Sequence, residues 1–169
     1  MKKFKLTSEF IVDISGVKLF RIKALIEFGN VKAGDLGGYI EKEENLSHMG
    51  NAWVSGNAQV SGDARVSGNA RVSGDARVFG NAQVSGDARV FGDARVSGDK
   101  DYAYAHGFGS CNRTTTFFRL KDGDVGVRCG CFYGTLAQFR DNVCETHGET
   151  KKAQEYLMLA DLMDFRFKN

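Results

Sequence analysis

From Val54 to Asp99 the chain alternates strictly between two kinds of residue. Even positions carry only Val, Gly or Ala, and odd positions carry Ser, Phe, Asn, Asp, Gln or Arg. Within this alternation Val recurs every six residues, at Val54, Val60, Val66, Val72, Val78, Val84, Val90 and Val96. A period of two is strand periodicity, with one apolar and one wet face. A single strand of this length would extend about 150 Å at about 3.3 Å per residue, beyond any compact domain. The chain must therefore turn, and the Gly in every hexad marks where. In a meander, each Gly-Asn or Gly-Asp would be a tight hairpin turn between strands of about four residues. In a β-helix, each coil lays Val over Val and Asn over Asn. The hexad period is a signature of the second fold, and only the second gains from strict repetition, because identical coils stack as identical ladders. A β-helix is the predicted architecture.

The flanks read differently. Phe4 to Leu6 and Val17 to Ile26 are predicted strands joined by a hairpin at Ser15-Gly16. They would plug one end of the β-helix, whose open coil would otherwise expose backbone edges. His48 occupies by count the hexad slot that Val fills later, and nine hexads from His48 reach Asp101. Thr114 to Leu120 and Asp124 to Cys131 read as strands about an Asp122-Gly123 turn. Thr135 with Gln138 forms a capping box that opens a helix to about His147, stopped by Gly148. A second helix runs from about Lys151 to Met163, and Phe165 and Phe167 alternate as a short final strand. The division is residues 1–47 as an N-terminal β cap, 48–101 as the repeat, and 102–169 as a small α+β module.

The runs Val-Ser-Gly-Asn-Ala-Gln and Val-Ser-Gly-Asp-Ala-Arg resemble the hexapeptide repeat of left-handed parallel β-helix proteins, the fold of trimeric sugar and amino-acid acyltransferases. That resemblance implies three hexads per triangular coil, hence about three coils here, and the left hand of the helix. The lead-in from Val31 to Ile40 is similar to the segment that opens the helix in bacterial and bacteriophage hexapeptide proteins of unassigned function. The tail segments Gly-Cys-Phe-Tyr-Gly-Thr-Leu and Thr-His-Gly are similar to a C-terminal piece of bacteriophage and prophage proteins. At about 4.8 Å per coil the prism would be only about 14 Å tall, short enough to need caps or self-association, as a trimer by resemblance or a dimer.

Charge is balanced section by section: eight basic and seven acidic residues before Val54, five and five through Asp99, ten and nine after it. Such balance gives little general attraction to phosphate backbones, so nucleic acid is a less favoured partner than protein. No apolar run approaches a membrane span, and Met1-Lys2-Lys3 is not followed by a signal-peptide core, so a cytoplasmic location and reduced cysteines are expected, and the resemblance implies that the cytoplasm is that of a bacterial host. The nine-residue Gly-Gly-x-Gly-x-Asp pattern of calcium β-rolls is missing, and calcium is not expected.

Residues eighteen apart should stack on the outer face. Three ladders follow: Trp53, Arg71, Arg89; Gln59, Arg77, Arg95; and Arg65, Gln83, Asp101. Flanking Asp residues could neutralise these arginines into a solvated surface. Alternatively, the guanidinium rows could recognise phosphate or an acidic protein. Phe79 and Phe91 replace Ser at outward positions and predict contact with another subunit, the tail or a target. In the tail, Cys129 and Cys131 would share a strand face and Cys144 and His147 a helix face, a set that could close a tetrahedral zinc site. The alternative reading is that these are core residues beside Val125, Val127 and Val143. Acyl transfer would need a histidine base near the coils, and His48 and His106 stand only at their two ends. The function expected is that of a non-catalytic, phage-type protein that binds a bacterial host protein, with an anti-CRISPR-like defence inhibitor as the narrower form of that expectation. The alternatives are a trimeric acyltransferase and a purely structural assembly element.

Overall fold

The computed structural model describes residues 1–168. Its centre is a parallel β-solenoid of about three coils, built from two-residue rungs. These are β4 (Trp53–Val54), β5 (Gln59–Val60), β6 (Arg65–Val66), β7 (Arg71–Val72), β8 (Arg77–Val78), β9 (Gln83–Val84), β10 (Arg89–Val90) and β11 (Arg95–Val96). Rungs eighteen residues apart pair in register, Val over Val, on three sides: β4 with β7 and β10, β5 with β8 and β11, and β6 with β9. Every Val from Val54 to Val96, and every Ala from Ala52 to Ala94, is fully buried, so the interior is a filled prism. Corners are made by Gly in the left-handed region. Gly74, for example, has φ 70°.

Two long strands precede the coils. β1 (Phe4–Val12) and β2 (Lys18–Ala24) form the expected hairpin, and β2 pairs antiparallel with β3 (Leu36–Ile40). β3 then pairs parallel with β5, so one side of the solenoid continues into a six-stranded sheet ordered β1-β2-β3-β5-β8-β11. Here the hexad count needs correction. Ile40 lies beside Val60 and Leu46 beside Val66, each twenty residues away rather than eighteen. Leu46 therefore takes the inward place that counting assigns to His48. The two extra residues fall in the following corner, where Met49 is exposed.

The tail folds as an antiparallel sheet of β12 (Tyr102–Phe108), β13 (Arg113–Arg119), β14 (Val125–Cys129) and β15 (Phe132–Thr135), with α1 (Leu136–His147) and α2 (Lys151–Phe167) on one face. The Thr135–Gln138 capping box and the Gly148 stop are both present. The final strand is not. α2 continues through Phe167, because that residue falls on the helix face already defined by Ala153 and Ala160, and all three are buried. Adjacent residues of β13 serve opposite faces. Phe117 packs with the helices, and Phe118 plugs the end of the solenoid.

Both ends of the solenoid are closed by chemically matched groups. Coil N–H groups donate toward the C-terminal end, as in Trp53 to the Ala70 carbonyl (3.1 Å) and Gln59 to the Ala76 carbonyl (2.9 Å). The N-terminal end therefore presents bare carbonyls, and buried donors meet them. Lys3 Nζ donates to the carbonyls of Gly50 (3.4 Å) and Ala52 (2.8 Å), and Asn45 Nδ2 donates to those of Gly62 (3.1 Å) and Ala64 (2.8 Å). The C-terminal end presents bare N–H groups, and acceptors meet them. Gln83 N–H donates to Asp99 Oδ1 (3.0 Å), Arg89 N–H to Thr116 Oγ1 (2.9 Å) and Ser97 N–H to Asp101 Oδ2 (2.9 Å). Asp101 thus turns back to Ser97 and Arg119 instead of continuing the Arg65–Gln83 ladder. With both ends covered by its own chain, the short prism no longer requires a second copy for that purpose.

Candidate binding surface

The two expected arginine ladders stand on separate sides of the solenoid: Trp53–Arg71–Arg89 and Gln59–Arg77–Arg95. Arg65 stacks on Gln83 on the third side. Neighbouring guanidinium-bearing rungs are one strand spacing apart, about 4.8 Å. Like charges at that spacing disfavour one another unless an anion intervenes. Burial, then the charge of Arg89, holds the Arg71 guanidinium below its usual pKa. Burial, then Arg77, does the same to Arg95, with Asp93 and Asp75 pulling the other way.

Among the described residues, none of Arg65, Arg71, Arg77, Arg89 and Arg95 forms an ion pair with a carboxylate. Three of the flanking aspartates have partners elsewhere. Asn57 Nδ2 donates to Asp75 Oδ1 (3.2 Å) and Asn69 Nδ2 to Asp87 Oδ1 (3.1 Å), one coil down in each case. Asp63 is taken by Lys42 at 3.0 Å. Of the carboxylates read from sequence as neutralisers of the arginines, Asp75 and Asp87 thus bond within their own columns and Asp63 pairs with Lys42.

The two outward phenylalanines have different fates. Phe91 is covered by the tail: Tyr133 meets it edge-on at 5.0 Å, and the Arg128 guanidinium lies 4.6 Å from its ring centre. Phe79 stays 38% exposed, on the side that carries Arg77 and Arg95. There the tip of the β1–β2 hairpin, with Asp13 and the exposed Ile14, overhangs the rungs and encloses a groove of about 270 Å³ with Gln59, Arg77, Phe79 and Arg95. The hairpin's share in this groove was not readable from sequence. Nothing in an Asp-Ile-Ser turn announces which side of a solenoid it will lean over.

The histidines are placed for structure. His48 accepts the backbone N–H of Lys3 at Nδ1 (3.1 Å), so its proton sits on Nε2, 2.7 Å from Glu43 Oε1, and its ring stacks on Phe4. With its lone pair already engaged, it is poorly disposed to act as a base, although it borders a cleft of about 530 Å³ shared with Glu43, Glu44 and Arg65. His106 Nδ1 is bound to Thr114 Oγ1 at 2.8 Å at the other end of the molecule.

The cysteine set does not assemble as the sequence suggested. β14 ends at Cys129, and Gly130 (φ 57°) with Cys131 forms the two-residue turn into β15, so the two cysteines do not share a strand face. Cys129 is buried, accepting from Thr115 Oγ1 at 3.2 Å and lying 3.8 Å from the Tyr156 hydroxyl. Cys129, Cys131 and His147 border the same cavity in the tail, whereas Cys144 is exposed and does not line it. Among the described residues, no three His, Cys, Asp or Glu side chains are grouped so as to hold a metal ion.

The stacked two-residue rungs define a β-solenoid repeat protein. Three overlapping stretches, residues 58–73, 70–86 and 82–98, are similar to the YdcK beta solenoid repeat family. The likeness is confined to the coils. No curated protein matches the chain. Among the described residues, no helix is long and apolar enough to cross a membrane.

Proposed function

We propose that the protein is a non-catalytic binding protein that engages an acidic protein surface through the Arg77–Arg95 side of its solenoid. The observation that carries this reading is the pair of stacked arginine rungs without a carboxylate partner, Arg95 Nη1 donating only to the carbonyls of Asp75 (3.0 Å) and Ala94 (2.9 Å), set beside the half-open Phe79 ring. Arginine presents a planar fork suited to carboxylates, and an aromatic at its side supplies the apolar anchor that binding surfaces concentrate. The filled interior leaves recognition to the outside. The narrower form of the reading is a phage or prophage protein acting in the bacterial cytoplasm on a host defence factor. It draws on the resemblance of the lead-in and tail segments to phage proteins.

The test is affinity capture from bacterial lysate with three baits: wild type, Arg77→Glu/Arg95→Glu, and Arg65→Glu as a charge-matched change on another side. A single host protein retained by wild type and by Arg65→Glu, lost by the double variant, and rebound after purification is the expected result. Equal retention by all three baits, or recovery of the bait alone, overturns the proposal. Melting curves of the three proteins guard against unfolding as the cause.

A further inference from the structure

The tail holds a second cavity, of about 360 Å³, remote in sequence from the arginine ladders. That volume lies in the range of small-molecule sites, about 300–1,000 Å³. Its floor is aromatic: Phe132 and Phe139 lie 5.7 Å apart, and Tyr156 meets Phe139 edge-on, also at 5.7 Å. One wall is α1, which presents Asn142 and Thr146 one turn apart, with His147 beside them. These three side chains form no hydrogen bond to the protein among the described residues; Asn142 and Thr146 are exposed to solvent and His147 is half-buried.

Arg113 stands at the opposite rim. The chain reaches it through two consecutive non-glycine residues in the left-handed region, Cys111 (φ 58°) and Asn112 (φ 46°), a conformation that L side chains rarely adopt and that concentrates at binding sites. The guanidinium lies over the bare backbone of Gly130, where a Cβ would come 2.0 Å from Nη1. Arg113 is exposed and forms no ion pair with a carboxylate among the described residues, and hydrogen bonding with Cys111 in the strained turn raises its pKa. On α2, Glu155 Oε2 accepts the Gly109 N–H at 2.7 Å. A cation held by a strained turn and the polar side chains of Asn142, Thr146 and His147 therefore line one cavity with an aromatic floor.

We infer that this cavity binds a small organic anion, its apolar body on the Phe132–Phe139 floor and its phosphate or carboxylate group against Arg113. Asn142 and His147 would supply further hydrogen bonds to the anionic group. The site is independent of the acidic-partner surface and stands if that reading fails.

The test is an NMR titration of the full chain with phenyl phosphate, benzoate and the neutral benzamide, on wild type, Arg113→Ala and Asn142→Ala. Saturable shifts at the amides of Cys131, Asn142 and His147 are expected with at least one anion, and the better anion identifies the headgroup. Binding should weaken about tenfold in Arg113→Ala, the order of one charge-assisted contact, and measurably in Asn142→Ala, with melting temperatures unchanged. Absence of saturable shifts with both anions, equal binding of benzamide, or undiminished binding by Arg113→Ala each overturns the proposal.

Discussion

Gly74 is fixed by two independent constraints, and they can be separated. Its φ of 70° lies where an L side chain meets its own carbonyl, and a Cβ there would stand 2.8 Å from the backbone nitrogen of Gly92 in the coil below. Gly16, in the hairpin tip, has φ 83° but open space around it. Gly16→Ala should therefore cost only the left-handed conformation, about 1–2 kcal/mol. Gly74→Ala adds a clash against backbone that cannot swing aside, a further 1–3 kcal/mol or so. Denaturant unfolding of both variants measures the difference, and equal losses would show that stacking contributes nothing at the corners. The same residue-scale logic bears on the arginines of the coils. The eighteen-residue spacing places Asn57 over Asp75 and Asn69 over Asp87, and an Asn amide donating to the next Asp turns that carboxylate toward its own column.

At the scale of elements, the parallel ladder gives the solenoid two unlike ends, and Lys3 shows what closing the carbonyl end entails. Lys3 is buried, donates to two coil carbonyls and lies 4.7 Å from the Phe28 ring centre. Burial, then the charge of Arg71, pulls its pKa down to about 8 from 10.5. Between those values the folded protein has released a proton that the unfolded chain still holds, so stability rises with pH across that window. Below about pH 8 both states are protonated, and the folded state carries the full cost of the buried charge. Lys3→Met should flatten this rise in unfolding free energy between pH 8 and 10.5, whatever it does to stability at neutral pH. A wild-type slope unchanged by the substitution would remove Lys3 as its source. None of this was legible in sequence, where a lysine near the start reads as solvated. Leu46 was missed for a related reason: an insertion of two residues in one corner leaves no trace in an alternating pattern, so counting ran through it to His48. The coils themselves were fully legible, because each hexad states its inward and outward residues afresh. So was α1, whose Thr135 and Gln138 act within four residues of one another. The final strand failed because Phe165 and Phe167 are too few to distinguish alternation from a helix end, and the burial of Phe167 under the sheet decides for helix.

For the whole molecule, the tail sheet joins two cores that share no side chain, and consecutive residues make the joint. Phe118 belongs to the solenoid interior, continuing the valine columns beyond Val90 and Val96, and Phe117 belongs to the layer beneath α1 and α2. Both are fully buried, and neither the strand pattern nor composition tells which core each one enters. Truncating either to Ala should cost about 3–5 kcal/mol, so global stability alone does not separate them. Their local effects do. Phe118→Ala opens the C-terminal end of the prism, and the amides of β10 and β11 should exchange faster while those of α1 keep their protection. Phe117→Ala leaves the prism plugged and should loosen α1 and α2, where Phe139 meets the ring of Phe117 edge-on at 6.1 Å. Hydrogen exchange followed residue by residue reads both patterns in one experiment. If instead each variant weakens both regions equally, the two cores unfold as one unit. The tail would then be a continuation of the solenoid, and a ligand filling its cavity would stabilise the arginine-bearing coils to the same extent as the helices.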